Sequence, residues 1–385
     1  MKKIKICLLV LTLLFAIHCK KNACNEGPKI LMSSGIKHVY NPAAPRDGSI
    51  VLEIKKTFEI DSKDIESETP VFFHQVTHGP DGSIFLMDGK AVRIYKFSPT
   101  GELLGHFVSK GNGPAEFPYL GRIEINENKI WVSGAQKLAS FDENGTFICE
   151  KRFKKNYWPI DIIDSKRFLG NFTWIKTGKK IPGRMVAVLD MDENILTSIL
   201  KSDITGMIRV EKDGFKLAFD NVLVTPNILT LYNRLNGLVY IAVTDEYKII
   251  LKDIKGDIRQ LIFRDYQNKR LSRKDRSTIA SMFNYLPARE RKIVEENLPG
   301  TFCAIKTMQF LRWGYLAVSR ITGVNSLEID IFDSNGVYVY LVKLPEGIPD
   351  LFLFHENKLV VIEQNDSSSV YEEYQITNLP ALFGK

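Results

Sequence analysis

One short pattern constrains this chain more than any other: a strand-like run ending in a bulky apolar residue, a tight turn closed by glycine, and a second strand-like run. It reads Phe97-Ser98-Pro99-Thr100-Gly101, Phe141-Asp142-Glu143-Asn144-Gly145 and Phe332-Asp333-Ser334-Asn335-Gly336. Looser copies stand at Leu189-Asp190-Met191-Asp192-Glu193-Asn194 and Lys252-Asp253-Ile254-Lys255-Gly256. One β-hairpin repeated roughly every 40–50 residues is the signature of a β-propeller, in which each copy belongs to one four-stranded blade. The repeat places blades at about residues 73–108, 121–153, 158–201, 219–263, 302–342 and 351–376. The sixth lacks a last strand, while Ile50–Ile54 and Thr57–Ile60 have strand character but no hairpin partner nearby. An N-terminal strand that completes the last blade removes an open sheet edge and closes the ring. The expected fold is therefore all-β: a single six-bladed β-propeller over residues 50–378, closed by its N-terminal strand.

Residues 264–298 interrupt the strand pattern. Ser272 followed by Asp275 resembles a capping box, and Ile279, Met282, Phe283 and Leu286 fall on one helical face. Pro287 suits the start of a second helix, which Leu298-Pro299-Gly300 ends. This helical insertion carries nine Lys/Arg against five Asp/Glu. An apolar stripe laid on the propeller with charges facing water accounts for it; a basic docking surface is the alternative.

The N-terminus is an address, not a piece of fold. Lys2, Lys3 and Lys5 precede an apolar stretch from Cys7 to Ile17, too short to span a bilayer, so residues 1–18 read as a signal peptide. Cys19 stands where a lipoprotein signal is cleaved, although His18 before it departs from the usual small residue. Cys19 is the expected lipidation site and residues 19–49 the linker behind it, giving a membrane-anchored protein facing the periplasm or cell surface. Removing the signal's three lysines lowers the formal charge from +7 to +4, which makes no case for nucleic acid. Cys24, Cys149 and Cys303 remain, odd in number and scattered, so neither a disulfide framework nor a metal cluster follows. Cys149 and Cys303 read as buried thiols in apolar strands.

At the join of blades 1 and 2 stands Lys110-Gly111-Asn112-Gly113-Pro114-Ala115-Glu116-Phe117. With the aromatic turns before it, this resembles the exported six-bladed β-propeller lipoproteins of bacteria, relatives of the NHL-repeat propellers, whose first blade ends in a Gly-x-Gly-Pro-Gly-Glu-Phe loop. Ala115 replaces the third glycine of that pattern. The resemblance spans about residues 50–378 and implies a fold and a location outside the cytoplasm; it brings no catalytic residues. The loop itself reads as a staple between blades, with Glu116 accepting loop N–H groups, and as a candidate binding position second.

No metalloprotease, nucleophile-elbow, phosphate-loop or dinucleotide motif occurs, and no cofactor is expected. If a metal were bound, His74, His78, His106 and His355 would be the ligands, meeting in the central channel. No Asp/Glu/His set recurs at matching blade positions, so no catalytic residue is assigned. Aromatic rings stack on sugars, and Tyr119, Tyr157 and Trp158 at blade junctions are candidates for a binding face, whereas Trp131 reads as core. The sequence thus points to a non-enzymatic binding or scaffold propeller for a protein or glycan partner. The alternative is a metal-assisted lyase or hydrolase working in the central funnel.

Overall fold

The computed structural model describes residues 27–378 apart from 68, 135, 155–156, 176–181, 204–206, 213–214, 312–313, 349–351 and 366. Six antiparallel sheets form the ring. Blade 1 holds Phe73–His78, Ile84–Asp88, Arg93–Phe97 and Leu103–Phe107; blade 2 holds Arg122–Asn126, Lys129–Gly134, Lys137–Phe141 and Phe147–Arg152. Blade 3 holds Tyr157–Asp164, Arg167–Ile175, Pro182–Asp190 and Ile195–Ser202; blade 4 holds Ile228–Asn233, Leu238–Val243, Lys248–Asp253 and Ile258–Arg264. Blade 5 holds Ile305–Phe310, Leu316–Gly323, Ser326–Phe332 and Tyr338–Lys343. Blade 6 supplies Phe352–His355, Lys358–Gln364 and Ser369–Ile376, and Ile54–Asp61 completes it antiparallel to Ser369–Ile376. The ring closes as the sequence predicts. Second strands such as Ile84–Asp88 are buried throughout, because neighbouring blades cover both faces, which is why they read as unbroken apolar runs.

The recurrent turn turns out to be the joint between blades. Oδ1 of Asp142 accepts from the backbone N–H of Asn144 at 2.9 Å and of Thr146 at 2.7 Å; Asp253 and Asp333 do the same for the two N–H groups beyond them. The closing glycines have φ between +82° and +90° and lie against the fourth strand of the preceding blade. A Cβ on Gly101 would meet the Phe58 ring, one on Gly145 the Phe107 ring, and one on Gly336 the Gln260 and Ile262 side chains. Glycine is needed twice over, for the left-handed backbone and for the close approach. Blade 3 departs from this: Glu193 takes the position with φ +67° and uses its carboxylate to accept from Lys154 N–H at 2.8 Å.

The linker expected over residues 19–49 is, from Lys29 onward, largely folded. Lys29–Ser33 and Ile36–Asn41 make a hairpin with a two-residue turn, Ser34 and Gly35, both at positive φ. Its second strand runs parallel to Ile258–Arg264 at the rim of blade 4. Ser49–Val51 then runs parallel to Tyr338–Lys343 at the rim of blade 5, so residues 50–51 border blade 5 and the closure of blade 6 belongs to Ile54–Asp61 alone. The N-terminal segment is a belt along the outer edges of three successive blades. Its buckle is Asn41, 4% exposed, whose amide donates to the carbonyls of Gly336 at 2.9 Å and Phe263 at 3.1 Å while its oxygen accepts from Tyr338 N–H at 2.8 Å. These contacts join residues 222 to 297 positions apart, which hairpin periodicity cannot reveal.

Beneath the belt lies a buried charge network between blades 4 and 5. Asp330, fully buried, faces Arg264 at 3.2 Å and Arg320 at 3.2 Å and accepts from the Tyr247 hydroxyl. The Arg264 guanidinium also stands 4.5 Å from the Tyr338 ring and donates to the carbonyl of Ala43 at 2.9 Å. A charge taken from water needs a counter-charge, and Asp330 supplies one to both guanidinium groups.

The insertion forms two helices, α1 (Arg273–Ser281) and α2 (Ala288–Asn297), with the Ser272–Asp275 capping box in place. Ile279, Phe283 and Val294 pack with a second hairpin, Ile208–Lys212 and Phe215–Phe219, and with Phe302, Cys303 and Ile321. Met282, expected on the apolar face, follows the last helical residue and turns out to solvent. Arg276 and Arg291 spend their guanidinium groups on carbonyls of Leu298, Pro299 and Leu286, so part of the segment's basic charge is internal capping. Cys303 is buried, and burial pushes its thiol up to about 11. Cys149 is exposed, contrary to expectation, because its strand is the outermost of blade 2.

Candidate functional site

In a ring of this topology the first strands of the blades line the central channel, and each is a sheet edge with unpaired N–H groups. The chain solves that problem repeatedly. Gln75 on blade 1 accepts from Ile123 N–H on blade 2 at 3.2 Å, and Glu124 on blade 2 accepts from Ile162 N–H on blade 3 at 3.4 Å. Asp161 on blade 3 accepts from Tyr232 N–H on blade 4 at 3.1 Å, and Gln309 on blade 5 accepts from Phe354 N–H on blade 6 at 3.1 Å. A polar side chain near the middle of a first strand thus latches the next blade. Sequence reading sought a recurring Asp/Glu/His set and missed this one, because the residue type varies between amide and carboxylate.

At blades 2 to 4 the latches become a charge cluster. Asp161, 5% exposed at its side chain, lies 3.9 Å from Arg122 and 3.7 Å from Arg234, and Arg234 pairs directly with Glu124. Burial holds the Asp161 carboxyl above the usual range, an effect that the Arg122 charge partly offsets. Burial, then the neighbouring Arg122, lowers the affinity of Arg234 for its proton. Two carboxylates and two guanidinium groups balance, so the cluster secures three blades with no net charge.

The four histidines do not assemble. His78 and His355 stack at the junction of blades 1 and 6, with ring centroids 3.8 Å apart and planes within 9°. His78 Nε2 meets the Tyr371 hydroxyl at 3.2 Å, and Tyr371 donates to Glu373, which Lys358 also contacts at 2.8 Å. Burial first, then the charges of His355 and Lys358, depress His78 to about 3, so its imidazole is neutral at ordinary pH. His74 accepts from Gly89 N–H at 2.9 Å, and His106 lies on the fourth strand of blade 1 beside Tyr95. Among the described residues no group of three His, Cys, Asp or Glu has metal-site geometry. Beside His74, a cleft of about 180 Å³ lies between the first strands of blades 1 and 6, lined by Gln75, Val76, Phe352, Leu353, Val360 and Ile362.

The remaining candidates lie at the end of the ring where one blade connects to the next. Glu116 is turned inward: it accepts from Gly113 N–H at 2.8 Å and fills the space that a Cβ on Gly111 or Gly113 would need. The side chain of Lys137, 4% exposed, donates to the carbonyls of Gly113 at 2.8 Å and Glu116 at 2.9 Å and pairs with Glu150, tying the loop to blade 2. Glu116 is therefore a staple. Ala115, standing where the resembling pattern has glycine, adopts a left-handed backbone at φ +58°. Tyr119, 40% exposed, presents its ring from the same loop. Tyr157 and Trp158 begin the first strand of blade 3, paired with Phe172 and Asn171; their side chains, like Cys19 and the signal peptide, lie outside the described residues.

Comparison with known proteins bears out the architecture. A family model described as a six-bladed β-propeller matches residues 74–233. The structure of a Bacteroides fragilis protein inferred to be exported shares 12% identity at a TM-score of 0.54, over 89% of this chain and 100% of that one. A member of the DUF4221 family from Bacteroides vulgatus shares 11% identity at a TM-score of 0.51, over 85% and 99%. Virginiamycin B lyase from Staphylococcus aureus aligns at 0.44 with 10% identity, over 84% and 100%, too loose a likeness to bear on activity. No curated protein sequence matches. The chain is a six-bladed β-propeller, similar in fold to bacterial proteins of which one is inferred to be exported.

Proposed function

We propose that this propeller is an extracytoplasmic lipoprotein, anchored through Cys19, that binds a protein or glycan partner without transforming it. The observation that carries the reading is the use made of the channel's polar groups. Gln75, Glu124, Asp161 and Gln309 are committed to holding neighbouring blades, and Arg122 and Arg234 to balancing the carboxylates. A catalytic centre needs groups left free to meet a substrate. The connection face offers what a binder needs: Tyr119 exposed on a loop stapled from beneath, with Tyr157 and Trp158 at the next junction. The signal sequence and the likeness to a protein inferred to be exported support the location.

The test is calorimetric titration of the purified protein with cell-envelope polysaccharide fragments and with envelope proteins captured by it. Saturable binding abolished by Tyr119→Ala or by Tyr157→Ala with Trp158→Ala supports the reading. Binding that survives all three substitutions moves the site off this face. The metal-assisted lyase or hydrolase would have to rest on His78 and His355. Elemental mass spectrometry showing a divalent ion at one per chain, lost in His78→Ala, would replace binding with that chemistry.

A further inference from the structure

The first strand of the belt, Lys29–Ser33, is exposed at every position, including three successive large apolar residues: Ile30 at 48%, Leu31 at 57% and Met32 at 67%. Successive strand residues point to opposite faces, so this strand shows apolar side chains on both. Ile30 pairs with Val39, which is fully buried, yet Ile30 is not covered; the strand overhangs the edge of the body. On the other face Leu31 lies opposite His38, next to Tyr40, whose ring stacks on Phe263 at 4.9 Å. A free sheet edge in a soluble protein is ordinarily guarded by charge or proline; here the central three positions carry neither.

The geometry points to the lipid bilayer as the partner of this hairpin: we infer that Ile30, Leu31 and Met32 rest in the membrane interface beside the anchor. The inference rests on lipidation at Cys19. Only nine residues, 20–28, separate that cysteine from Lys29, a stretch whose greatest possible reach is about 35 Å. The hairpin is thus kept within that reach of the surface whether or not it binds there, and the question is what it shows to the lipid. Lys20, Lys21, Lys29 and Lys37 against the single acidic Glu26 favour anionic headgroups. Among the described residues no strand pairs with the outer edge at Ile30, Leu31 and Met32, and the N–H and C=O groups there set the depth. They cannot enter hydrocarbon unsatisfied, so the strand lies at the headgroup and acyl boundary, where water and phosphate oxygens serve them. Apolar residues on two faces suit immersion in such a layer better than contact with a flat protein partner, which would cover one face.

The experiment uses the full lipidated chain in vesicles of phosphatidylethanolamine and phosphatidylglycerol. With Cys24 and Cys149 changed to serine, a nitroxide is placed by Leu31→Cys or, as a control on the blade 1 rim, Leu103→Cys; Cys303 is buried and does not label. The expected result is a several-fold higher ratio of oxygen to nickel-chelate collision at 31 than at 103. Equal, aqueous ratios in protein whose mass includes the diacylglyceryl group overturn the docking but leave the anchor standing. A mass without that group overturns the anchor itself. Dipolar broadening at 31 identifies a second copy paired edge to edge and overturns the lipid assignment.

Discussion

Replacing Asn41 with alanine tests whether the belt holds the ring or merely decorates it. Three hydrogen bonds disappear: those to the carbonyls of Gly336 and Phe263 and that from Tyr338 N–H. The residue is 4% exposed, so water does not replace them freely. A buried N–H left without an acceptor costs about 1–3 kcal/mol, and each lost bond to a carbonyl that keeps other contacts about 0.5–1. The sum is about 3 kcal/mol, with the lower half of the range reached if a water enters beside the new methyl. Urea unfolding followed by far-ultraviolet circular dichroism measures it, with the slope against denaturant held equal to wild type as the check that the same surface is exposed. Lys37→Ala, which removes an exposed 3.3 Å bond to Asn335, should change stability by under about 0.5 kcal/mol. Hydrogen exchange should accelerate first at residues 36–41 and at the Tyr338 amide. A loss below about 1 kcal/mol for Asn41→Ala, with those amides still protected, would refute the buckle.

Ala115→Gly should stabilise the protein by about 0.5–1 kcal/mol, because the strain of φ +58° on an L-residue exceeds the extra freedom glycine gains on unfolding; an unchanged urea midpoint would show the loop unstrained. Asp330→Asn leaves the buried Arg264 and Arg320 short of a counter-charge and should cost about 3–5 kcal/mol, read in the same unfolding assay; near-wild-type stability would mean that water reaches the network. His78 titrates at about 3 when folded against about 6.5 when unfolded, so the unfolded chain takes up the proton first, and stability is intact above pH 6.5 and falls as pH drops toward 3. Between pH 6.5 and 5 this one group should account for about 2 kcal/mol, an acid sensitivity that His78→Gln removes; parallel profiles for the two proteins would place that proton elsewhere.

The ring was legible in the sequence because each blade must solve the same problems with the same residues. An aspartate, or Ser98 in blade 1, caps the turn from third to fourth strand in blades 1 to 5, and in all of these but blade 3 a glycine admits the preceding blade; the eye finds the pattern at Asp142–Gly145 and Asp333–Gly336. The closing strand was legible as a vacancy in blade 6. What escaped is either non-periodic or chemically variable. The belt has no second copy, and Asn41 is one asparagine among many until Gly336 and Tyr338 arrive beside it. The channel latches recur in position but not in residue type, since glutamine, glutamate and aspartate all present an oxygen to a backbone N–H. The histidine set failed for a related reason: even spacing places His74 and His78 on one face of a strand, but the register takes His74 to Gly89 and His78 to His355.

That division bears on where function resides. A residue that recurs at equivalent positions in several blades is explained by the ring's own construction, and the channel of this protein is built largely from such residues. The features without a counterpart in the other blades have no such explanation: the Glu116 loop with Tyr119, the two-helix lobe with Tyr285 74% exposed at its surface, and the hairpin carrying Ile30, Leu31 and Met32. Each costs chain length and leaves apolar surface in water, which a scaffold selected only to fold would cover. The lobe and the Glu116 loop stand on the connection face and the hairpin on the rim, so occupation of the hairpin, as inferred above, would leave the loops of the connection face accessible. Symmetry builds the platform, and its breaks mark the surfaces worth substituting.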